Sequence, residues 1–430
     1  MLPLHRLQVS SRIGRNLCGL VLALAIPAGA AQPASPAVSA EMALPMAATP
    51  AASWDEVNIR ASQRVFAVDI PAPSAPCVAG AMHQHRVLIQ PDRATVNIVG
   101  AGSQSRTLAL RDGLLPDVHY LPDGRHALLA TSSGWLLRLD LAQAQLVAEV
   151  RVGLMLRGVA LSAPHEGLPR LLAAANAAPH TLVIVDEQLK LVKLLRVADK
   201  TGRRPSGVAA IRVAQARSSF VATLLDVPEL WELSYNPKAP EIALGLVHDF
   251  QYREGYFVPG YLNPQRSTLS SPARDFLMAP DGNSALTAHA GSESQPLDAG
   301  VKLRVTHLDV RRRVAEVALP GWPALDRSLL WRVGGQDRLA VPDEKLGLVS
   351  VIDPDHWALL GQLRTDGPVR VMRNPADSPW LWLDTGTAPN AGLAVLKVNK
   401  NTLEVVERLA AGVGEVGAEN PPAPVYRCSP

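Results

Sequence analysis

Thr95-Val-Asn-Ile-Val-Gly100, Leu136-Leu-Arg-Leu-Asp140, Leu182-Val-Ile-Val-Asp186, Leu230-Trp-Glu-Leu-Ser234, Leu303-Arg-Val-Thr-His-Leu-Asp309, Val349-Ser-Val-Ile-Asp353 and Leu393-Ala-Val-Leu-Lys-Val-Asn399 are seven copies of one phrase. Each is a short, mostly apolar run closed by a turn residue, with a second apolar run after it. The turn positions are 40, 46, 48, 75, 44 and 46 residues apart. Period-2 alternation with β-turn residues at that spacing marks β-propeller blades, not helical solenoids. The expected fold is therefore all-β, a propeller of seven or eight four-stranded blades.

A second repeated element supplies the other half of each blade. Pro122-Asp-Gly-Arg-His-Ala-Leu-Leu-Ala130 and Pro280-Asp-Gly-Asn-Ser-Ala-Leu-Thr-Ala288 are turns leading into strands, with Asp-Gly making the reversal. Weaker versions begin at Gly334 and Pro375. Each blade then runs from an inner strand outward. In the second blade the predicted strands are Val118 to Leu121, His126 to Thr131, Trp135 to Leu139 and Leu146 to Val152. Residues at the start of an inner strand line the mouth of the central channel, where a propeller usually holds its ligand.

Composition fits a large β domain. The 430 residues carry 42 basic and 39 acidic side chains, a net charge of +3, without runs of like charge. Nothing in this balance calls for nucleic acid or an anionic membrane surface. Aromatics are only 4%, so Val, Leu and Ala must hold the blades together.

Residues 1–30 read as a signal peptide. Arg6, Arg12 and Arg15 precede an apolar core from Leu17 to Ile26, too short to span a bilayer, and Ala28-Gly29-Ala30 offers a cleavage site. Residues 31–53 read as a flexible Ala-, Pro- and Ser-rich leader, and 54–430 as the propeller. Export to the periplasm follows, with no membrane span in the mature chain. Cys77 and Cys428 lie at opposite ends of the repeats, which a ring brings together, so they are expected to form a disulfide in an oxidising compartment.

The 75-residue interval exceeds a blade's need by nearly 30 residues, and holds His248-Asp-Phe-Gln-Tyr-Arg-Glu-Gly-Tyr-Phe-Val-Pro-Gly-Tyr261. So long and aromatic a stretch is expected to be a functional loop. At the other end, the alternation of Val57 to Ile70 suggests a strand that helps close the ring as a seventh or eighth blade.

Val150-Arg-Val-Gly153-Leu-Met-Leu-Arg157-Gly-Val159, Arg170-Leu-Leu-Ala-Ala-Ala175, Pro205-Ser-Gly-Val-Ala-Ala-Ile211 and Leu224-Leu-Asp-Val-Pro-Glu-Leu-Trp231 resemble the heme d1 propeller of cytochrome cd1 nitrite reductases. Asp353-Pro-Asp-His-Trp357 and Gly367-Pro-Val-Arg-Val-Met-Arg373 are more similar to the periplasmic F-type accessory protein of heme d1 biosynthesis. The likeness spans roughly residues 78 to 415.

This resemblance implies a ring that binds a tetrapyrrole, heme d1 or a precursor, at its mouth. It implies a histidine on the iron and arginines on the propionates. Arg157 falls where the family carries an arginine near the heme, and Arg327 matches a second. Arginine suits this role because its fork meets a carboxylate with two parallel hydrogen bonds. Where the reductases place an axial histidine this chain has Pro116, with His119 three residues later as the candidate ligand. Where they place distal histidines it has Arg274 and, approximately, Ala324, and Arg274 is kept as a candidate contact. The chain contains no Cys-x-x-Cys-His. Without electron entry or distal acids, nitrite reduction is not the expected activity.

His83 and His85, two apart on an expected strand, point to one face and are weaker metal candidates. No Gly-x-Ser-x-Gly elbow or carboxylate constellation suggests a hydrolase. Two readings remain: a periplasmic tetrapyrrole-binding accessory or biosynthetic propeller, and a ligand-free scaffold for a periplasmic protein partner.

Overall fold

In five of the seven phrases the closing polar residue, Asp140, Asp186, Ser234, Asp353 or Asn399, is an acceptor that builds the turn after it. Asp140 Oδ1 accepts hydrogen bonds from the backbone N–H groups of Ala142 and Gln143, both at 3.0 Å. Asp186 does the same for Gln188 at 2.9 Å, Asp353 for Asp355 at 2.8 Å and Asn399 for Asn401 at 2.8 Å. Short acidic and amide side chains are suited to this mimicry of a backbone turn. The Asp-Gly turns use the same device: Asp123 accepts from Arg125 and Asp281 from Asn283, while Gly124 and Gly282 both take φ +67°.

The computed structural model describes residues 54–66, 85–100, 105–164, 168–246, 255–290, 300–375, 378–386 and 394–410. All belong to one compact unit, Pro50–Pro430. The expected signal peptide, the leader, His83, Cys77 and Cys428 lie outside the described residues.

Seven of the sheets among the described residues are blades. The first has three strands, Arg86–Gln90, Thr95–Val99 and Ser105–Ala109. The second runs outward through His119–Tyr120, His126–Ala130, Trp135–Asp140 and Gln145–Arg151. The first strands of blades three to seven are Met155–Leu161, Val208–Ala214, Phe276–Met278, Leu329–Val333 and Val369–Arg373, each followed by three antiparallel neighbours.

Apolar clusters fill the spaces between consecutive blades. Leu182 and Ile184 face Phe220 and Trp231 of blade four, whereas Val183 and Val185 face Leu128 and Leu136 of blade two. The alternation in the repeated phrase is thus between two buried faces. A blade has a neighbour on each side, so its middle strands read as nearly continuous apolar runs.

The structure changes two expectations. Val57 does not begin a strand. Glu56–Ser62 is a helix, α1, capped by Asp55, whose side chain accepts from Asn58 N at 3.0 Å. Its Ile59 is 1% exposed in the cluster between blades two and three. Among the described residues the strand of this stretch is Arg64–Val65, which pairs with the outer strand of blade two as a fifth strand, and residues 67–70 lie outside the described residues. A cap residue and one buried apolar position make the residues before the alternation helical.

The long interval in blade four contains regular structure among its described residues. Ile242–Leu246 pairs with Gly255–Val258 as a hairpin, inserted before the outer strand Pro264–Thr268. Residues 247–254, within the aromatic stretch, lie outside the described residues.

Candidate functional site at the propeller mouth

The first strands form the hub. Met155–Leu161 packs on Val208–Ala214, which packs on Phe276–Met278, and the turn Leu325–Arg327 touches the first strands of blades five and seven. All first strands of a propeller run the same way along its axis. Residues at their starts therefore gather at one mouth.

The sequence-predicted arginines lie at this end. Arg157 is exposed on the first strand of blade three. Arg274 is exposed two residues before the first strand of blade five. Arg327 is exposed at the end of the turn entering blade six, and donates from Nη1 to the backbone carbonyl of Val369 in blade seven at 3.2 Å. Its Nε is 3.8 Å from Asp326.

Two further features escaped the sequence reading. Arg370, exposed on the first strand of blade seven, adds another guanidinium. Arg212 of blade four donates to Asp275 of blade five at 2.9 Å, a link between adjacent inner strands. Burial pushes the Asp275 carboxyl up, and Asp326 adds to this, while Arg212 holds it down. Neither feature could be read from the period, because each depends on which side chains neighbouring blades bring together.

The charges at the mouth do not cancel. Arg212 and Arg327 have carboxylates beside them, but Arg157, Arg274 and Arg370 make no ion pair among the described residues. Apolar surface accompanies them. Met155 is 53% exposed, Leu330 40% and Val371 39%, all on first strands, and Trp322 in the segment entering blade six is 42% exposed. Cationic forks beside exposed apolar side chains suit a flat, mostly apolar ligand with carboxylate groups at its edge.

His119 stands on the first strand of blade two, as the sequence predicted. Its Nε2 is buried and has no hydrogen-bond partner. Burial lowers the imidazole to about 4, with Arg170 pushing the same way and Asp117 opposing. It is thus neutral near pH 7 with an unused ring nitrogen, the state in which imidazole ligates a metal. The chemistry a tetrapyrrole needs is present on the first strands and the segments entering them: a neutral nitrogen donor, buried within blade two, and exposed guanidiniums and apolar side chains on the other blades. His85 precedes the first blade's Arg86–Gln90 strand, with a buried, unpartnered Nδ1. Among the described residues no cluster of three His, Cys, Asp or Glu side chains is placed to hold a metal ion.

Comparison with known proteins shows the family of the chain. Residues 85–420 match the model of the cytochrome D1 heme domain. A dihydro-heme d1 dehydrogenase of Pseudomonas aeruginosa is 35% identical over 298 residues, 69% of this chain. The chain spans 53% of that relative's length. The solved structure of dihydro-heme d1 dehydrogenase NirN in complex with DHE is similar with a TM-score of 0.69 and 31% identity. That likeness covers 85% of this chain and 71% of the solved one. No helix among the described residues is long and apolar enough to cross a membrane.

Proposed function

The chain belongs to the cytochrome d1 heme-domain family, and from that we propose that it binds a tetrapyrrole of the heme d1 type, or a precursor, at the propeller mouth. The role is accessory or biosynthetic, and the place is the periplasm, reached through the signal peptide expected over residues 1–30. The observation that carries this reading is the set of exposed guanidiniums that have no carboxylate partner among the described residues, Arg157, Arg274 and Arg370, on the first strands of blades three and seven and just before that of blade five. The name of the relative and the ligand in the solved structure support the ligand class.

In this reading the arginines grip carboxylates at the macrocycle edge, and Arg327, tied to Val369, sets the spacing between blades six and seven. Trp322, Met155 and Leu330 supply apolar contact to the ring. When bound, the tetrapyrrole brings an iron that accepts a neutral nitrogen donor, and His119 is the candidate to provide it.

Titration of the purified chain with hemin, followed by the Soret band, tests the reading. A saturable shift is expected at micromolar protein, weakened about tenfold by Arg157→Ala, as for loss of one charge-assisted contact. His119→Ala is expected to move the band position of the complex. A Soret band unchanged by the protein would replace this reading with that of a scaffold for a protein partner.

A further inference from the structure

A second charged concavity lies between blades four and five, away from the inner strands. It has a volume of about 410 Å³ and is bordered by Thr268 and Ser270 from the link between the blades, and by His289, Arg304, Arg312 and Arg313 of blade five. The register explains why these groups meet. Thr287 pairs with Arg304, His289 with Lys302, and Arg304 with Glu316 across three adjacent strands, so all five side chains share one face.

That face is held in place by hydrogen bonds. His289, 2% exposed, is bonded on both ring nitrogens, to Ser271 Oγ at 2.7 Å and to Thr287 Oγ1 at 2.8 Å. Arg304 is fixed from two sides, donating from Nε to Glu316 at 2.8 Å and from Nη1 to Ser270 Oγ. The link between the blades is thereby tied down over the crevice.

The charges there are unequal. Glu316 serves Lys302 at 2.6 Å, Arg304 at 2.8 Å and Arg313 at 3.0 Å. Arg312, exposed beside them, makes no ion pair among the described residues. Three cations thus share one carboxylate, and a fourth stands beside them without an ion pair among the described residues. Hydroxyls of Thr268 and Thr306 complete the lining.

We propose that this crevice is a binding site for a multiply charged oxyanion, distinct from the tetrapyrrole mouth. Fixed guanidiniums favour phosphate and carboxylate groups, which they meet with paired hydrogen bonds. The volume exceeds that needed for an inorganic ion and admits a small organic phosphate or polycarboxylate. The two sources share this chemistry, and the probes separate them.

The test is calorimetric titration of the full chain with inorganic phosphate and with citrate, at ionic strength held constant with chloride. Saturable binding of at least one is expected, weakened about tenfold or more in the Arg312→Ala/Arg313→Ala double variant. Both positions are exposed, so the variant keeps its fold. Arg157→Ala should bind the same anion as the parent does, which separates this site from the mouth. Tighter citrate binding assigns the site to polycarboxylates, and tighter phosphate binding to phosphoryl groups. Absence of saturable binding, or binding undiminished in the double variant, would overturn the proposal.

Discussion

His289 and His119 show how burial turns a titratable side chain into a fixed neutral group. Burial lowers both to about 4, with a neighbouring arginine adding to the effect, Arg304 for His289 and Arg170 for His119. An unfolded imidazole titrates near 6.5. Between those values the unfolded chain binds protons that the folded chain refuses, so stability is present above pH 6.5 and is lost as pH falls toward 4. Carboxylates such as Glu316, held at about 2 by Lys302 and Arg304, lose their contribution only below the usual carboxylate range. Urea midpoints measured between pH 7 and 4.5 should therefore fall. His289→Gln should flatten that fall, by on the order of 2 kcal/mol for a shift of this size. Parallel pH profiles for parent and variant would contradict the assignment of His289 as a buried neutral group.

At the scale of the element, the middle strands of blades three and four are buried on both faces, and the turns after Asp140, Asp186, Asp353 and Asn399 are made by those closing residues. Those two facts made the blades legible. The period, the Asp-Gly turns and the third strands were visible because they are local, as Asp140 and Asp353 bonding their own next residues demonstrate. The alternation from Gln63 does yield the strand Arg64–Val65, but the residues before it, from Val57, form helix α1 because of the cap at Asp55 and the docking of Ile59. His119 lies on the first strand of blade two because the strand order follows from the repeat, whereas Arg157, Arg274 and Arg327 came from the family resemblance and lie on, or in the segments entering, the first strands of blades three, five and six. Arg370 and the Arg212–Asp275 pair were missed because their significance lies between blades. Interblade packing is expected to carry the stability of these elements. Phe220, wholly buried against Leu182 and Ile184 and 5.1 Å from the ring of Tyr235, is a direct probe. Phe220→Ala should cost roughly 3–5 kcal/mol by chemical denaturation. A loss under about 1 kcal/mol would mean that the interface collapses around the void and that this cluster is not the main support.

For the whole molecule, the propeller converts seven modest sheets into one hub. Among the described residues, each pair of consecutive blades from first to seventh shares an apolar cluster. These fix the angles at which inner strands present Arg157, Arg274 and Arg370 to a common mouth. The fold thus turns residues more than 200 positions apart into one cationic rim. The proposal that this rim selects carboxylates is the central claim. The decisive measurement compares the affinities of hemin and hemin dimethyl ester for the parent chain and for the Arg157→Ala/Arg274→Ala/Arg370→Ala variant, with circular dichroism confirming an intact fold. The parent should favour the free acid by about a hundredfold, as two charge-assisted contacts supply, and the variant should barely distinguish the two. Equal affinity of the parent for acid and ester would contradict the account.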